Sequence, residues 1–315
     1  MALASHAPSR PPDASGGVLR AHLGMLCWSL LVGLSFPVVG WLSDSLPPLL
    51  LTSLRFVIAS LALSLLVRRA SDWRPHARAM GLYALMGLCL AGFFGAMFWA
   101  AHHATAVSMS TLFVSVPLLA FLMGCLAGVE RIAWRLPLVL ALGALGALGL
   151  AWAEARQSDG AGWRFGIGEG VFFLGCLSSA LYPVLSKWGL RRGWLSASAA
   201  VRTFWSLAVG AVLIGLVGLG IEPVTALTEM TLSDALLLIY LGVGSSALTF
   251  WLQQRATAVL TPGAVTAYSY LVPFVSMILL FIRAPERIDW IWAPGAILVL
   301  GAVMLLIHGG SDAPR

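Results

Sequence analysis

Arg55 and Arg202 are the two charges that fall deep inside long apolar stretches of this 315-residue chain. Each should cost about 2.5–3.5 kcal/mol at the centre of a membrane helix, so each needs partners. Such a guanidinium can bind a solute carboxylate or backbone carbonyls beside a pathway, or it can snorkel toward an interface and pin its helix. Both residues sit toward one end of their stretch, which favours the pinning role. Acids are placed differently: every Asp and Glu falls in a tail, a loop or the end of an apolar stretch. The mid-membrane carboxylates of proton relays and cation sites are missing, so strong ion coupling is not expected. His102 and His103 are adjacent and cannot face one metal as an i, i+4 pair does; they read as external loop residues. Lys187, the single lysine, is placed at a loop edge. Cys27, Cys89, Cys125 and Cys176 follow neither a disulfide framework nor a zinc spacing and read as small packing residues. With no carboxylate pair, metal cluster or nucleophile motif, no enzyme activity, metal or cofactor is expected.

Hydroxyls and aromatics, however, recur at helical spacing, as they would on helix faces that line a solute pathway. Trp28 and Ser35 share one face, Phe94, Phe98 and His102 a second, and Ser108, Thr111 and Ser115 a third. Further along come Cys176, Ser179, Tyr182 and Ser186, then Ser246, Phe250 and Gln253, then Thr266, Ser269 and Tyr270. Trp99 and Trp163 are expected at an external mouth. Uncharged, hydroxyl-rich and aromatic walls suit a small amphipathic solute, whereas phosphate groups would demand more cations than two arginines. Pro37, Pro117, Pro183 and Pro273 each remove a backbone hydrogen bond inside an apolar stretch and are candidate hinges. Gly242-Val-Gly244-Ser-Ser-Ala247 fits a dinucleotide fingerprint, but no strand precedes it, and its glycines instead suit close helix approach. Gly143, Gly146 and Gly149 read the same way.

The elements that must hold these residues follow from composition. The chain is 59% hydrophobic and 10% charged, against roughly 25% charged in soluble domains. Windows of about 20 apolar residues match a hydrocarbon core of about 30 Å. They place helices near 22–42, 47–67, 79–100, 104–128, 133–153, 168–188, 196–219, 233–253, 262–283 and 290–308. The fold class is therefore an all-α integral membrane protein with ten transmembrane helices.

The ten form a duplication. Phe98-Trp99-Ala-Ala-His-His-Ala104-Thr105-Ala106-Val107 returns as Phe250-Trp251-Leu-Gln-Gln-Arg-Ala256-Thr257-Ala258-Val259, and Glu130-Arg131-Ile132-Ala133-Trp134 returns as Glu286-Arg287-Ile288-Asp289-Trp290. Gly24, Pro37 and Arg55 pair in the same way with Gly170, Pro183 and Arg202. A repeat of five spans enters the membrane the second time from the opposite side, giving the inverted symmetry of secondary transporters. The organisation expected is a disordered cytoplasmic tail at 1–17, a first five-helix repeat at 18–153, an external linker at 154–167, a second repeat at 168–309 and a tail at 310–315. With the N-terminus inside, external loops hold only Arg156, Arg164, Arg283 and Arg287, while the other loop and tail cations, from Arg10 to Arg315, lie inside. This positive-inside bias puts both termini in the cytoplasm. The net charge of +6 is then a topology signal, and no nucleic-acid partner is expected.

These marks resemble the drug/metabolite transporter superfamily, specifically its ten-helix EamA-type members. The resemblance covers nearly the whole chain. It rests on Pro37 and Pro183, on Arg55 and Arg202, and on the run from Ala104 through Val116-Pro117 to Glu130-Arg131 with its copy from Ala256 through Val272-Pro273 to Glu286-Arg287. It implies a multi-pass protein of the bacterial inner membrane that exports small metabolites, similar to exporters of neutral and aromatic amino acids. The expected partners are a small-molecule substrate and the lipid bilayer. Alternating access without a coupled ion is the expected mechanism. A nucleotide-sugar or sugar-phosphate antiporter of the same superfamily is the alternative, and a non-transport accessory subunit is a further one.

Overall fold

The computed structural model describes residues 14–157 and 166–309. Within them, ten helices are long and apolar enough to cross a membrane: Gly16–Val39, Pro48–Val67, Ala77–Ala101, Ser108–Leu126, Arg135–Arg156, Ile167–Arg191, Ala199–Ile221, Leu232–Val259, Pro262–Arg283 and Trp290–Gly309. They are called the first to tenth spans. Among the described residues there is no strand, as expected where every backbone polar group must be satisfied without water.

Ten spans bring the start of the first and the end of the tenth to the same end of the bundle, here the terminal end; the opposite end, toward the 158–165 segment, is the linker end. Contacts between loops keep the two apart. At the terminal end Gly309 packs on Arg135 and the Trp205 indole donates to the Trp73 carbonyl at 2.9 Å. At the linker end Gly168 lies against the His103 backbone, and Glu222 accepts from the amides of Leu49 and Leu50 at 2.8 and 2.9 Å.

The second span packs on the seventh, the third on the sixth and seventh, the fifth on the tenth, and the first on the eighth and ninth. Glycine is what brings several of these pairs close, since without a water-driven hydrophobic effect helices associate through tight packing of small residues. A Cβ on Gly146 would lie 2.7 Å from the Val299 amide nitrogen and 2.9 Å from the Gly295 carbonyl oxygen, so the fifth and tenth spans meet backbone to backbone. Gly242 packs on Ile58 of the second span, the close approach expected of the fingerprint-like segment, whereas Gly244 meets only Tyr240 of its own span.

Acids stand at helix beginnings, where unpaired amides and the positive end of the helix dipole favour them. Asp234 caps its own helix through Thr231 and also accepts from the Ser43 amide at 3.0 Å, and Glu222 caps the second span.

Three expectations shift. The first helix begins at Ala14 and ends at Val39, earlier than 22–42, and the eighth span continues to Val259, past 253. Lys187 is not at a loop edge: it is buried in the sixth span, four residues before that helix ends, with its ammonium on the Ala258 carbonyl at 3.1 Å. Trp163 and the centre of the linker lie outside the described residues.

Candidate functional site

Tyr182, Ser246 and Phe250 of the second repeat converge with Phe94 of the first, and Arg55 completes the group. The eighth span carries a π-helical turn at Val243–Leu248, which displaces its residues relative to regular helix. That turn offers Ser245 and Ser246 to the second span: the Arg55 Nε donates to the Ser246 hydroxyl at 2.5 Å, and its Nη2 donates to the Ser245 carbonyl at 3.1 Å and hydroxyl at 3.0 Å. The guanidinium lies over the Phe94 ring, 5.6 Å from its centroid. From Phe94 a chain of edge-to-face rings continues through Phe56 at 5.2 Å and Phe250 at 6.3 Å to Tyr182 at 5.8 Å. The Tyr182 hydroxyl meets Ser206 at 3.0 Å. Second, third, sixth and eighth spans are thus joined by one aromatic row with a cation at its edge.

Arg202, the repeat partner of Arg55, has a different setting. It is fully buried, and its nitrogens donate to Gln254 Oε1 at 2.9 Å, to the carbonyls of Ser196 and Ala197 at 2.6 and 2.9 Å, and to the Gln254 carbonyl at 2.7 Å. Gln254 also accepts from Ser186 at 2.6 Å, binding the sixth, seventh and eighth spans together. Beside this knot, a shallow cavity of about 360 Å³ is lined by Ser198, Arg202, Trp251 and Arg255 at the terminal end.

The two ends of the bundle are unlike. Pro262–Tyr270, the terminal-end half of the ninth span, is buried throughout, whereas in its repeat counterpart at the linker end, Ser108–Ser115, every residue but Ser108 and Val114 is half-exposed. Glu130 stands at the terminal end, between the fourth and fifth spans. It is buried, and it accepts from the Gly263 amide at 3.0 Å at the start of the ninth span. Burial pushes its carboxyl up to about 7, outweighing the Thr261 hydroxyl, the Gly263 amide, Lys187 and Arg191, which pull it down. Its repeat partner Glu286, at the linker end, is exposed. His22 adds a second tie there: its Nδ1 meets the Tyr268 hydroxyl at 2.7 Å, first span to ninth.

The remaining expected site residues scatter. Ser35, Ser115 and Thr266 donate to carbonyls of their own helices. Ser108 pairs with Thr105, the cap of the fourth span. Thr111 and Ser179 are half-buried. Cys176 is buried against the fourth span's side of the core, and Gln253 and Ser269 are buried too. Tyr270 turns to Gly143 on the fifth span, and Trp28 packs against the same hydrophobic core. Phe98 joins the aromatic group's core from one turn away, while His102 and His103 are exposed at the end of the third span, His103 stacked on Trp99. Among the described residues no group of His, Cys, Asp and Glu could hold a metal. Of the four prolines, Pro117 and Pro273 stand at breaks in the fourth and ninth spans, Pro183 lies within an unbroken helix, and Pro37 sits at the last turn of one.

Ser245, Gln254, His22 and Tyr268 were not singled out by the sequence pattern. The signal for His22 was present, since His22 and Ser29 stand seven residues apart on one helix face and both bond the Tyr268 residue. A π-turn, by contrast, leaves no periodicity to read.

A model of the EamA-like transporter family matches residues 19–152 and again residues 166–308. A solved structure described only as the crystal structure of a protein superposes with a TM-score of 0.74, covering 96% of this chain and 100% of its own at 20% identity. That likeness is one of fold. No curated protein matches the chain significantly.

Proposed function

Because the chain belongs to the EamA-like transporter family, a family of membrane transporters within the drug/metabolite superfamily, we propose that it exports small neutral or aromatic amino acids across the bacterial inner membrane by alternating access. The observation that carries this reading is the inequality of the two ends: within an inverted repeat, one end of the fourth and ninth spans is packed shut while the equivalent other end is not. Exchange of the two arrangements between the repeats turns a bundle closed at one end into one closed at the other. The cations of the loops favour the terminal end as cytoplasmic, so the arrangement described is closed to the cytoplasm. Glu130 and Glu286 are then alternating caps, the first docked here on the ninth span, the second free to dock on the fourth.

The solute follows from the aromatic row. Phe94, Phe250 and Tyr182 offer ring faces and edges for an apolar body, and Ser246 and Arg55 offer polar groups beside it. Of the three cations Arg55, Lys187 and Arg202, the last two are buried and engaged with carbonyls, which leaves too little positive charge for a nucleotide-sugar or sugar phosphate. In liposomes loaded with a mixture of labelled metabolites, the purified protein is expected to move neutral amino acids such as threonine, methionine or an aromatic one down their own gradient, with no proton or sodium gradient imposed. Phe250→Ala or Tyr182→Ala should slow that flux several-fold while leaving the protein folded, in keeping with ring contacts of about 0.5–1.5 kcal/mol. Movement only under a proton gradient would reject uncoupled transport and point to His102 and His103, the pair exposed at the end of the third span.

Topology has its own test. After the native cysteines are removed, an impermeant thiol reagent applied from outside should label Ser158→Cys in the linker and miss Ser71→Cys between the second and third spans. The reverse pattern would overturn the orientation.

A further inference from the structure

Arg55 and Arg202 are equivalent by repeat, yet only one is saturated. All three nitrogens of Arg202 donate to protein oxygens, and the residue is fully buried. Arg55 donates only through Nε and Nη2, both to the π-turn of the eighth span, and it is part-exposed. Among the described residues its Nη1 meets no protein acceptor, and it is not sealed from its surroundings. Nor does any described carboxylate neutralise it, for Arg55 forms no ion pair among the described residues. A guanidinium at membrane depth with an open donor edge and no counter-charge is a costly arrangement unless something else supplies the anion.

We infer that the open edge of Arg55, fixed by Ser245 and Ser246 and lying across Phe94, is the carboxylate-binding group of the pathway, and that the solute is a monocarboxylate with an apolar or aromatic body resting on Phe94 and Phe250. The assignment rests on the transport reading above and names the solute group that reading leaves open. Geometry supports it at three points. The two serines fix the far side of the planar fork, so little ordering remains when a carboxylate arrives. Charge-assisted bonds from such a fork are the strong ones, more so where water is scarce. The ring under the guanidinium places aromatic surface within one side chain's length of the charge, as a carboxylate attached to an apolar body requires. Pinning the second span and holding an anion are then done by different nitrogens of one side chain.

The test is a matched pair of probes, 3-phenylpropionate and its uncharged amide, titrated into the purified full-length protein in detergent and followed by tryptophan fluorescence and thermal shift. The acid is expected to bind at least tenfold tighter than the amide, about 1.4 kcal/mol. Arg55→Gln should bring the ratio near one by weakening the acid alone, and Arg55→Lys, which keeps the charge but loses the planar fork, should lie between. A ratio near one in the unaltered protein, or a ratio that Arg55→Gln leaves unchanged, would overturn the assignment. Should Arg55→Gln fail to fold, the unaltered protein and Arg55→Lys decide: an unchanged ratio in the lysine variant overturns it. Because binding is read without flux, the two readings part cleanly. Acid-selective binding in a protein that moves nothing would leave this assignment and remove the transport reading; flux of uncharged solutes without acid preference would do the opposite.

Discussion

Arg202→Met is expected to cost about 3 kcal/mol or more, because the change removes four hydrogen bonds made by a buried charged donor, each worth about 1.5–3 kcal/mol. Met fills a similar volume, so the loss isolates the hydrogen bonds from packing. The Ser196, Ala197 and Gln254 carbonyls have the guanidinium as their donor, and they hold the loop before the seventh span to the eighth. Gln254 Oε1 would keep its bond from Ser186, so the damage concentrates on the backbone acceptors. Arg202→Lys should not rescue, since one ammonium cannot reach carbonyls on both sides as the planar fork does. Thermal unfolding of the purified variants should show a fall of roughly 6 °C or more, at about 2 °C per kcal/mol for a chain of this size, or a loss of folded yield. A melting temperature matching the unaltered protein would contradict the role given to Arg202. Arg55→Gln should be milder, because Arg55 is part-exposed and makes three hydrogen bonds where Arg202 makes four.

That contrast marks what the sequence could and could not reveal. The ten spans, their order and the duplication were legible because lipid imposes a length and a composition on every helix, and because Phe98-Trp99 and Glu130-Arg131 kept their copies. The family followed from the same marks. The equivalence of Arg55 and Arg202 was legible too, and it suggested one role for both. What separates them is a π-turn at Val243–Leu248 and the path of the loop at Ser196 and Ala197, features decided by tertiary contact and carried by no residue spacing. Stripes of hydroxyls at helical spacing were read as pathway walls, but a serine or threonine in a membrane helix can also donate to its own helix carbonyl. Ser35, Ser115 and Thr266 do so. Aromatics have no such local partner, which is why Phe94, Tyr182 and Phe250 were the members of the pattern that came together. Glu130 stands out in the sequence only as a repeat mark; its burial on the start of the ninth span is decided by tertiary contact with Gly263.

Closure at the terminal end is the premise of the whole account, and a cross-link tests it most directly. A Cβ on Gly263 would lie 3.1 Å from the Phe121 Cβ, a few tenths of an ångström inside the roughly 3.5–4.5 Å of an ordinary disulfide. Gly263 has no positive φ that would forbid a side chain. Phe121→Cys with Gly263→Cys, in a protein freed of Cys27, Cys89, Cys125 and Cys176, should form a disulfide when a mild oxidant takes up the two electrons. In liposomes the oxidised pair is expected to lose at least tenfold of its solute flux, because the fourth and ninth spans can no longer part at that end, and a reductant should restore it. Each single cysteine should keep transporting under the same oxidant. Complete cross-linking with flux unchanged would contradict alternating access through this end of the bundle.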